Sequence, residues 1–334
     1  MFPAMPKNRV PPVDVGGIVL PLFSTAAASG KIPLTAGLDL ASNIVDTQLG
    51  TAPSAFVFGN NLFVGSPANA SNSVPTSQDG TTWTLRTMPA SEPWRVGTDG
   101  TNFVAVDAGG TASATSADGI TWSSGGALSV SANADADNIP VENGGNWIVF
   151  NTSSTITHSV DGGANWTTQT LPAINGIAHF LVIGGLFWYW ASGTTAYTSP
   201  TGLTGSWTSR TMPLTPNAGL VWQNPGSADI HAGTTANATT YKTADGINWT
   251  DTTVTALINT IPAFNINGVY FSLDLATNHS YVKHGNYNNR HWSSKNGFTG
   301  ARLARNTRGA VIVPVSGGPI LIDQSKLFGV FRDE

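Results

Sequence analysis

A short motif returns along this chain at nearly constant spacing. TSQDGTTWT at 76–84, TSADGITWSS at 115–124, HSVDGGANWTT at 158–168 and TADGINWT at 243–250 share Ser/Thr-x-Asp-Gly followed by Trp. Aligned on Trp83, Trp122, Trp166, Trp207, Trp249 and Trp292, the intervals are 39, 44, 41, 42 and 43 residues. Such a period confines the chain to architectures in which each repeat is one supersecondary unit stacked on the next. Its length is that of a four-stranded propeller blade.

Each unit carries further matching detail. A turn precedes each Trp by about twenty residues: GNN at 59–61, TDGTN at 98–102, NGGN at 143–146, IGG at 183–185, NPGSA at 224–228 and NING at 265–268. An apolar strand follows each turn (LFVG, FVAV, WIVF, LFWYW, DIHA, VYFS), then a Ser/Thr-rich strand, the Asp-Gly turn and the Trp-bearing strand. Three units exit through Met88-Pro89, Leu171-Pro172 or Met212-Pro213, where proline fixes the backbone. Short strands bounded by Gly, Asn and Pro read as a meander, so the expected fold is all-β, a β-propeller of four-stranded antiparallel blades. From Ala301 onward ARLARN, TRG, AVIVPV, SGG and PILIDQ keep the rhythm without the motif, which gives seven blades, with six as the alternative. The expected organisation is an extended N-terminal arm over 1–50 and a propeller over 51–334. In the arm, GGIVLPLF or LTAGLDL is expected to add an outer strand to the last blade and remove a free sheet edge.

The Ser/Thr-x-Asp-Gly-x-x-Trp pattern over about residues 52–300 resembles the Asp-box, or BNR-type, repeats of sialidase-like β-propellers. The match is strong in units one, two, three and five. Unit four reads SPTGLTGSW, with Thr201 in the Asp place, and unit six reads KHGNYNNRHW, without an Asp. The resemblance implies that the boxes are turn clips between third and fourth strands, away from any central site. Residue chemistry agrees. Asp79, Asp118, Asp161 and Asp245 can accept hydrogen bonds from amides of their own turns. Gly80, Gly119, Gly162 and Gly246 can take positive φ. Ser77, Ser116, Ser159 and Thr243 set a hydroxyl beside the carboxylate, and each Trp is expected to bury its ring against the neighbouring sheet.

A catalytic sialidase-like protein would carry an arginine triad and a Tyr–Glu nucleophile pair. The first arginine stretch is missing, because no arginine occurs between residue 10 and Trp83. Only three glutamates exist, Glu92, Glu142 and Glu334, and the first two sit in turn-like segments. Asp107, Asp229 and Asp274 fall in or beside predicted inner strands, with nothing in the sequence to bring two carboxylates onto one glycosidic bond. The six histidines (His158, His179, His231, His279, His284, His291) show no metal-ligand spacing, and no nucleophile elbow or phosphate loop appears. No enzyme activity, cofactor or metal is expected.

Charged residues make up 10% of the chain and the net charge is −4, too sparse and of the wrong sign for a nucleic-acid binder. Hydrophobic residues make up 40%, enough to fill a large core, and no stretch reaches the ~20 apolar residues of a membrane span. With no cysteine, disulfides and thiolate chemistry are excluded. Lys7 and Arg9 ahead of an apolar run faintly resemble a secretion signal, but Pro11, Pro12 and Asp14 interrupt it. Candidate ligand-contacting residues are Trp94 and Arg95 in SEPWRV, Trp222 in GLVWQN, and Arg290-His291 beside Trp292, all near predicted strand ends. In the WYW run, Trp188 and Trp190 fall on one sheet face and Tyr189 on the other, consistent with packing between blades. An arm ahead of a Cys-free Asp-box propeller is similar to virion proteins of tailed bacteriophages. The expectation is therefore a non-catalytic structural or adhesion protein of the virion (tail, fibre or head decoration). It would dock other virion proteins through 1–50 and present a face to a host-surface glycan or protein. A secreted glycan-binding or glycan-cleaving propeller is the alternative.

Overall fold

The computed structural model describes residues 44–46, 53–134, 138–151, 154–173, 180–216, 221–223, 229–233 and 240–251. It also describes strands at 260–266, 269–274, 279–284, 287–293, 304–305, 311–313 and 320–322, and for these, as for 44–46, 221–223 and 240, the backbone alone. Among the described residues every regular element is a strand, and the strands pair antiparallel in seven four-stranded sheets.

The first sheet comprises β2 (Ala55–Gly59), β3 (Leu62–Ser66), β4 (Ser71–Ser77) and β5 (Thr84–Glu92); the second β6 (Trp94–Thr98), β7 (Phe103–Asp107), β8 (Ser113–Ser116) and β9 (Ser123–Ser124). The third has β10 (Val141–Asn143), β11 (Asn146–Phe150), β12 (Thr155–Ser159) and β13 (Thr167–Thr170); the fourth β14 (Leu181–Ile183), β15 (Leu186–Ser192), β16 (Thr195–Ser199) and β17 (Thr208–Thr211). The fifth has β18 (Val221–Gln223), β19 (Ile230–Gly233), β20 (Thr240–Thr243) and β21 (Thr250–Asp251); the sixth β22 (Thr260–Ile266), β23 (Val269–Asp274), β24 (His279–His284) and β25 (Tyr287–Ser293). In each, sequence order is spatial order. The seventh differs. It runs β26 (Ala304–Arg305), β27 (Val311–Val313), β28 (Ile320–Ile322), and its fourth strand is β1 (Ile44–Asp46), which pairs Ile44 with Ile322 and Asp46 with Ile320.

The strand observed on β28 is IVD at 44–46, within the expected arm, where GGIVLPLF or LTAGLDL is the expected source. Those two stretches lie outside the described residues, as does the rest of the arm to residue 43. The β-branched Ile44 and Val45 are strand formers and match the apolar β28 across the ladder. Neighbouring sheets meet through first strands: β2 on β6, β6 on β10, β10 on β14, β18 on β22, and β26 back on β2.

The meander topology gives every sheet two unlike ends. Connections between first and second strands and between third and fourth share one end, here the hairpin end; the other connections share the crossover end. At the hairpin end Asn60 and Asn61 take φ of 48° and 56°, Gly144 and Gly145 57° and 86°, Gly184 and Gly185 55° and 72°. Two left-handed residues in a row form the two-residue turn whose twist matches that of the strands, so these short loops fix the ladder register. The second strands then alternate into both faces of a dry core: Phe63, Val64, Phe103, Val104, Ile148, Val149, Phe187 and Trp188 are all buried.

Inner strands approach so closely that one backbone fills the space a side chain would need. A Cβ at Gly97 in β6 would stand 1.9 Å from the carbonyl oxygen of Pro140, just ahead of β10, and φ is not left-handed there. Gly97→Ala is thus expected to cost ~1–3 kcal/mol by overpacking. Trp166→Ala, which removes a ring packed among Val104, Val106 and Trp147, is expected to cost ~3–5 kcal/mol. Urea midpoints at unchanged slope would measure both.

Candidate functional site

The repeated turns come first, because their carboxylates are the most conspicuous polar groups. In the first sheet Ser77 Oγ donates to Asp79 Oδ1 at 2.9 Å and accepts from Gly80 N at 2.8 Å, while Asp79 Oδ1 accepts from Thr81 N and Thr82 N at 2.8 and 2.7 Å. Ser116, Asp118, Gly119, Ile120 and Thr121 repeat this network, as do Thr243, Asp245, Gly246, Ile247 and Asn248. The third turn has one residue more. Gly163 N replaces the expected Gly162 N on Ser159 Oγ, and Asp161 reaches on to Asn165 N, both at 2.9 Å. In the fourth, Thr201 cannot supply a carboxylate, and Ser206 compensates by bonding Ser199 Oγ and Leu203 O, both at 2.6 Å.

These bonds govern ionisation. For Asp118 the amides of Thr121 and Ile120 outweigh burial and hold the carboxyl below its ordinary range. The Asn165 side chain and amide do so for Asp161, and the Asn248 and Ile247 amides do so more strongly for Asp245. At Asp79 burial works the other way, but the Thr82 and Thr81 amides prevail and the net shift is downward.

The turn glycine is the part that touches the sheet before it. Left-handed at φ of 73°, Gly119 faces Leu62 of the first sheet; Gly163 faces Thr115 and Val104 of the second, Gly202 faces Ile148 and His158 of the third, and Gly246 faces Trp188 and Thr198 of the fourth. The tryptophans divide their packing, contrary to a uniform contact with the neighbour. Trp83 meets Phe56, Trp122 meets Phe103 and Trp207 meets Tyr189, all within their own sheets. Trp249 meets Trp188 of the sheet before, and Trp166 shares a cluster with Val104 and Val106 of the sheet before. In the WYW run Trp188 faces the next sheet, Tyr189 stacks on Tyr197 at 5.5 Å, and Trp190 Nε1 donates to Gly193 O. Trp292 lies in β25 opposite Ser280.

Of the candidate contact residues, Trp94 and Arg95 are at the crossover end and both point inward. Trp94, at the start of β6, is fully buried, with Nε1 donating to Ala90 O at 3.2 Å. Stacking on a sugar is closed to a ring so enclosed. Arg95 is 5% exposed, and its guanidinium donates to carbonyls of Pro67 at 3.0 Å and Ala134 at 3.4 Å, and to Pro93 and Trp94. It thereby joins the connections at 67–70 and 125–134 to the inner strand, a positioning role in place of a ligand contact. Trp222 lies in β18 opposite His231, and Arg290 and His291 lie in β25, the fourth strand of its sheet; their side chains are outside the description.

Two carboxylates, Asp107 and Glu92, stand at this corner. Register sets Asp107 opposite Trp94, and Glu92 ends the preceding strand. Burial, and then the charge of Glu92, push the Asp107 carboxyl up. The neighbour of Asp107 at this corner is thus a glutamate expected in a turn-like segment, and not Asp229 or Asp274. The pairing was accessible in principle: a hairpin at TDGTN that pairs Thr98 with Phe103 counts back to Trp94 and Asp107. Over this corner run residues 125–134, tied down by Leu128 N to Thr111 O, Gly109 N to Ala132 O, and Asn151 Nδ2 to Val130 and Ser131 carbonyls. Nothing in composition signals that strap. Asp229, by contrast, is at the hairpin end and pairs with Lys242 at 3.1 Å, and the backbone of Asp274 pairs with His279. Among the described residues no group of three His, Cys, Asp or Glu is arranged to hold a metal ion, and no helix is long and apolar enough to cross a membrane.

No protein-family model matches the sequence, and no curated protein matches it. Solved structures do resemble the fold. A streptogramin B lyase superposes with a TM-score of 0.58 at 9% identity, covering 83% of this chain and 96% of its own. YCF48 from Cyanidioschyzon merolae gives 0.59 at 13% identity, over 85% and 99%. BamB from Moraxella catarrhalis gives 0.52 at 10% identity, over 83% and 97%. The fold is a β-propeller. At 9–13% identity these likenesses fix the scaffold and leave the chemistry to individual residues.

Acid should unfold this propeller in two stages. His231 is buried and its pKa is pushed down to about 4, with burial the main cause and Lys242 adding to it against Asp229. His158 is depressed by burial in the same direction. From about pH 6.5 to about 4 the unfolded chain takes up protons these histidines refuse, so stability falls as pH falls. Below about pH 4 the stabilisation from the turn carboxylates, complete above the ordinary carboxylate range, is lost; Asp107 alone opposes the trend. Melting temperatures across a pH series should show His231→Gln flattening the first stage. Asp118→Ala should lower stability at neutral pH by ~1–2 kcal/mol, as the loss of a side-chain cap on backbone amides does.

Proposed function

We propose that this chain is a non-catalytic structural or adhesion β-propeller of the Asp-box type, with its seven sheets as blades of one ring. In this reading it is a component of a tailed-bacteriophage virion. The segment ahead of β1 docks other virion proteins, and a propeller face binds a host-surface glycan or a protein. One observation carries the scaffold reading: the four repeated carboxylates are spent on the amides of their own turns. The virion assignment rests on the sequence character of the chain, an arm before a charge-poor, Cys-free propeller.

A second reading, a glycan-cleaving propeller, is favoured by the Glu92–Asp107 pair, since glycoside hydrolysis uses two carboxylates and one must hold its proton. The absent arginine stretch and the burial of Trp94 weigh against it.

Deleting residues 1–45 should abolish incorporation into the parent assembly; normal occupancy of the truncated chain would end the anchor idea. Because the deletion also removes most of β1, Val45→Ala and a deletion stopping at residue 40 separate anchoring from closure of the seventh sheet. Fluorogenic sialosides and hexosides should not turn over. Turnover lost in Asp107→Asn would establish the second reading.

A further inference from the structure

The two ends of the propeller are chemically unequal, and the inequality points to a partner. Among the described residues the large hydrophobic side chains left exposed are Leu85, Ile120, Val160, Leu203 and Ile247. Scattered apolar residues on a surface need no explanation. These are not scattered. Ile120, Leu203 and Ile247 each follow the turn glycine, Val160 sits between Ser159 and Asp161, and Leu85 is the second residue after Trp83. Every one therefore stands at the hairpin end, on five consecutive sheets.

The surface beneath them is continuous and held in place. Asn60 N donates to Gly100 O, joining the hairpins of the first and second sheets. Asn143 Nδ2 donates to Gly185 O and Pro200 O at 2.8 Å, joining the third sheet to the hairpin and the turn of the fourth. Gly184 lies against Ala244 and Asp245 of the fifth. The apolar residues thus project from one interlocked set of loops.

Among the described residues of these five sheets, charge at that end has one dominant sign. Asp79, Asp118, Asp161 and Asp245 lie in the turns, and Asp99 and Glu142 in the hairpins. Asp99 is also held below its ordinary range, where burial is overcome by the Asn102 side chain and by the Asn102 and Thr101 amides. Neutral donors satisfy these oxygens without cancelling their charge. The cations stand back from the tips: Lys242 pairs with Asp229, and Arg86 and Arg210 lie on fourth strands, bound through Nε to Thr76 and Thr198.

We infer that the hairpin end of the propeller is a docking surface for a basic polypeptide segment whose lysine or arginine side chains alternate with apolar ones. Apolar residues of the segment cover the five exposed side chains, and its cations face the turn carboxylates. Complementary charge of this kind sets partner choice and encounter rate, while burial of the apolar patch sets residence time. Anionic lipid and nucleic-acid phosphate carry the wrong sign for this end. The inference rests on the scaffold reading only in treating the chain as a binding protein, and it adds the face and the partner's chemistry.

The test uses the full chain and a labelled synthetic peptide of alternating lysine and leucine, with a glutamate–leucine peptide as control. Fluorescence anisotropy should show saturable binding of the basic peptide, weakening as salt rises, and none of the acidic one. The combined variant Ile120→Thr, Val160→Thr, Leu203→Thr, Ile247→Thr should bind about tenfold more weakly or worse, a loss of ~1.4 kcal/mol. Should that variant fold poorly, carbodiimide cross-linking of the wild-type complex decides: peptide lysines should join Asp99, Glu142 or the turn aspartates. Absent binding, equal binding by the folded variant, or cross-links at Glu92 and Asp107 would overturn the inference. So would sedimentation showing that the chain self-associates through this face, with association lost in the variant. A chain that enters its assembly normally but ignores the peptide sinks this inference and leaves the scaffold reading standing.

Discussion

A carboxylate oxygen that accepts two consecutive backbone N–H groups holds those amides at a fixed angle, and so freezes the turn that contains them. In this propeller the frozen turn carries a left-handed glycine whose missing side chain lets the backbone settle on the strands of the sheet before it. Gly119 on Leu62, Gly163 on Val104, Gly202 on Ile148 and Gly246 on Trp188 are one contact made four times. Where the carboxylate is missing, at Thr201, the Ser199 and Ser206 hydroxyls hold the turn and keep Gly202 in its seat. Without the glycine a Cβ would hold the sheets apart. The same few atoms thus define both the local hairpin and the step from one sheet to the next, which is why the motif and the period coincide.

That use of carboxylates shapes the rest of the surface. Charges bound to neutral amides remain charges, so the hairpin end becomes acidic as a by-product of architecture. At the crossover end the polar side chains turn inward. Arg95 is spent on carbonyls of three connections, and Asn138 and Asn151 bind the strap and the end of β11. Glu92 and Asp107 are the carboxylates there that interact with each other. A propeller that directs its repeated chemistry into holding its sheets together leaves its function to what the loops present, and the two ends present different things.

Much of this was legible in the residues. The Asp-Gly-Trp spacing, the two-residue Asn and Gly hairpins, and the alternation of LFVG and FVAV are local patterns, and local patterns act through turn geometry and side-chain period. Trp94 and Arg95 were misjudged because proximity to a predicted strand end does not tell whether a side chain faces solvent or a loop folded over it. Residues 125–134 supply that loop, and their path depends on hydrogen bonds to Thr111, Gly109 and Asn151, far away in sequence. Glu92 is a related case: a carboxylate in SEPW looks solvated until the register of the next sheet sets Asp107 opposite Trp94, near enough for the two charges to act on each other.

The sequence by itself determined the repeat, the all-β four-stranded unit, the turn chemistry and the absence of thiol chemistry, because each follows from interactions within a few residues or from composition. Only the tertiary structure decided which short stretch covers β28, which tryptophans pack at home and which reach the neighbouring sheet. It alone buried Trp94 and Arg95, paired Glu92 with Asp107, and gathered the exposed apolar side chains at one end. Those outcomes depend on contacts between residues tens to hundreds of positions apart, where no periodicity reports which groups will meet.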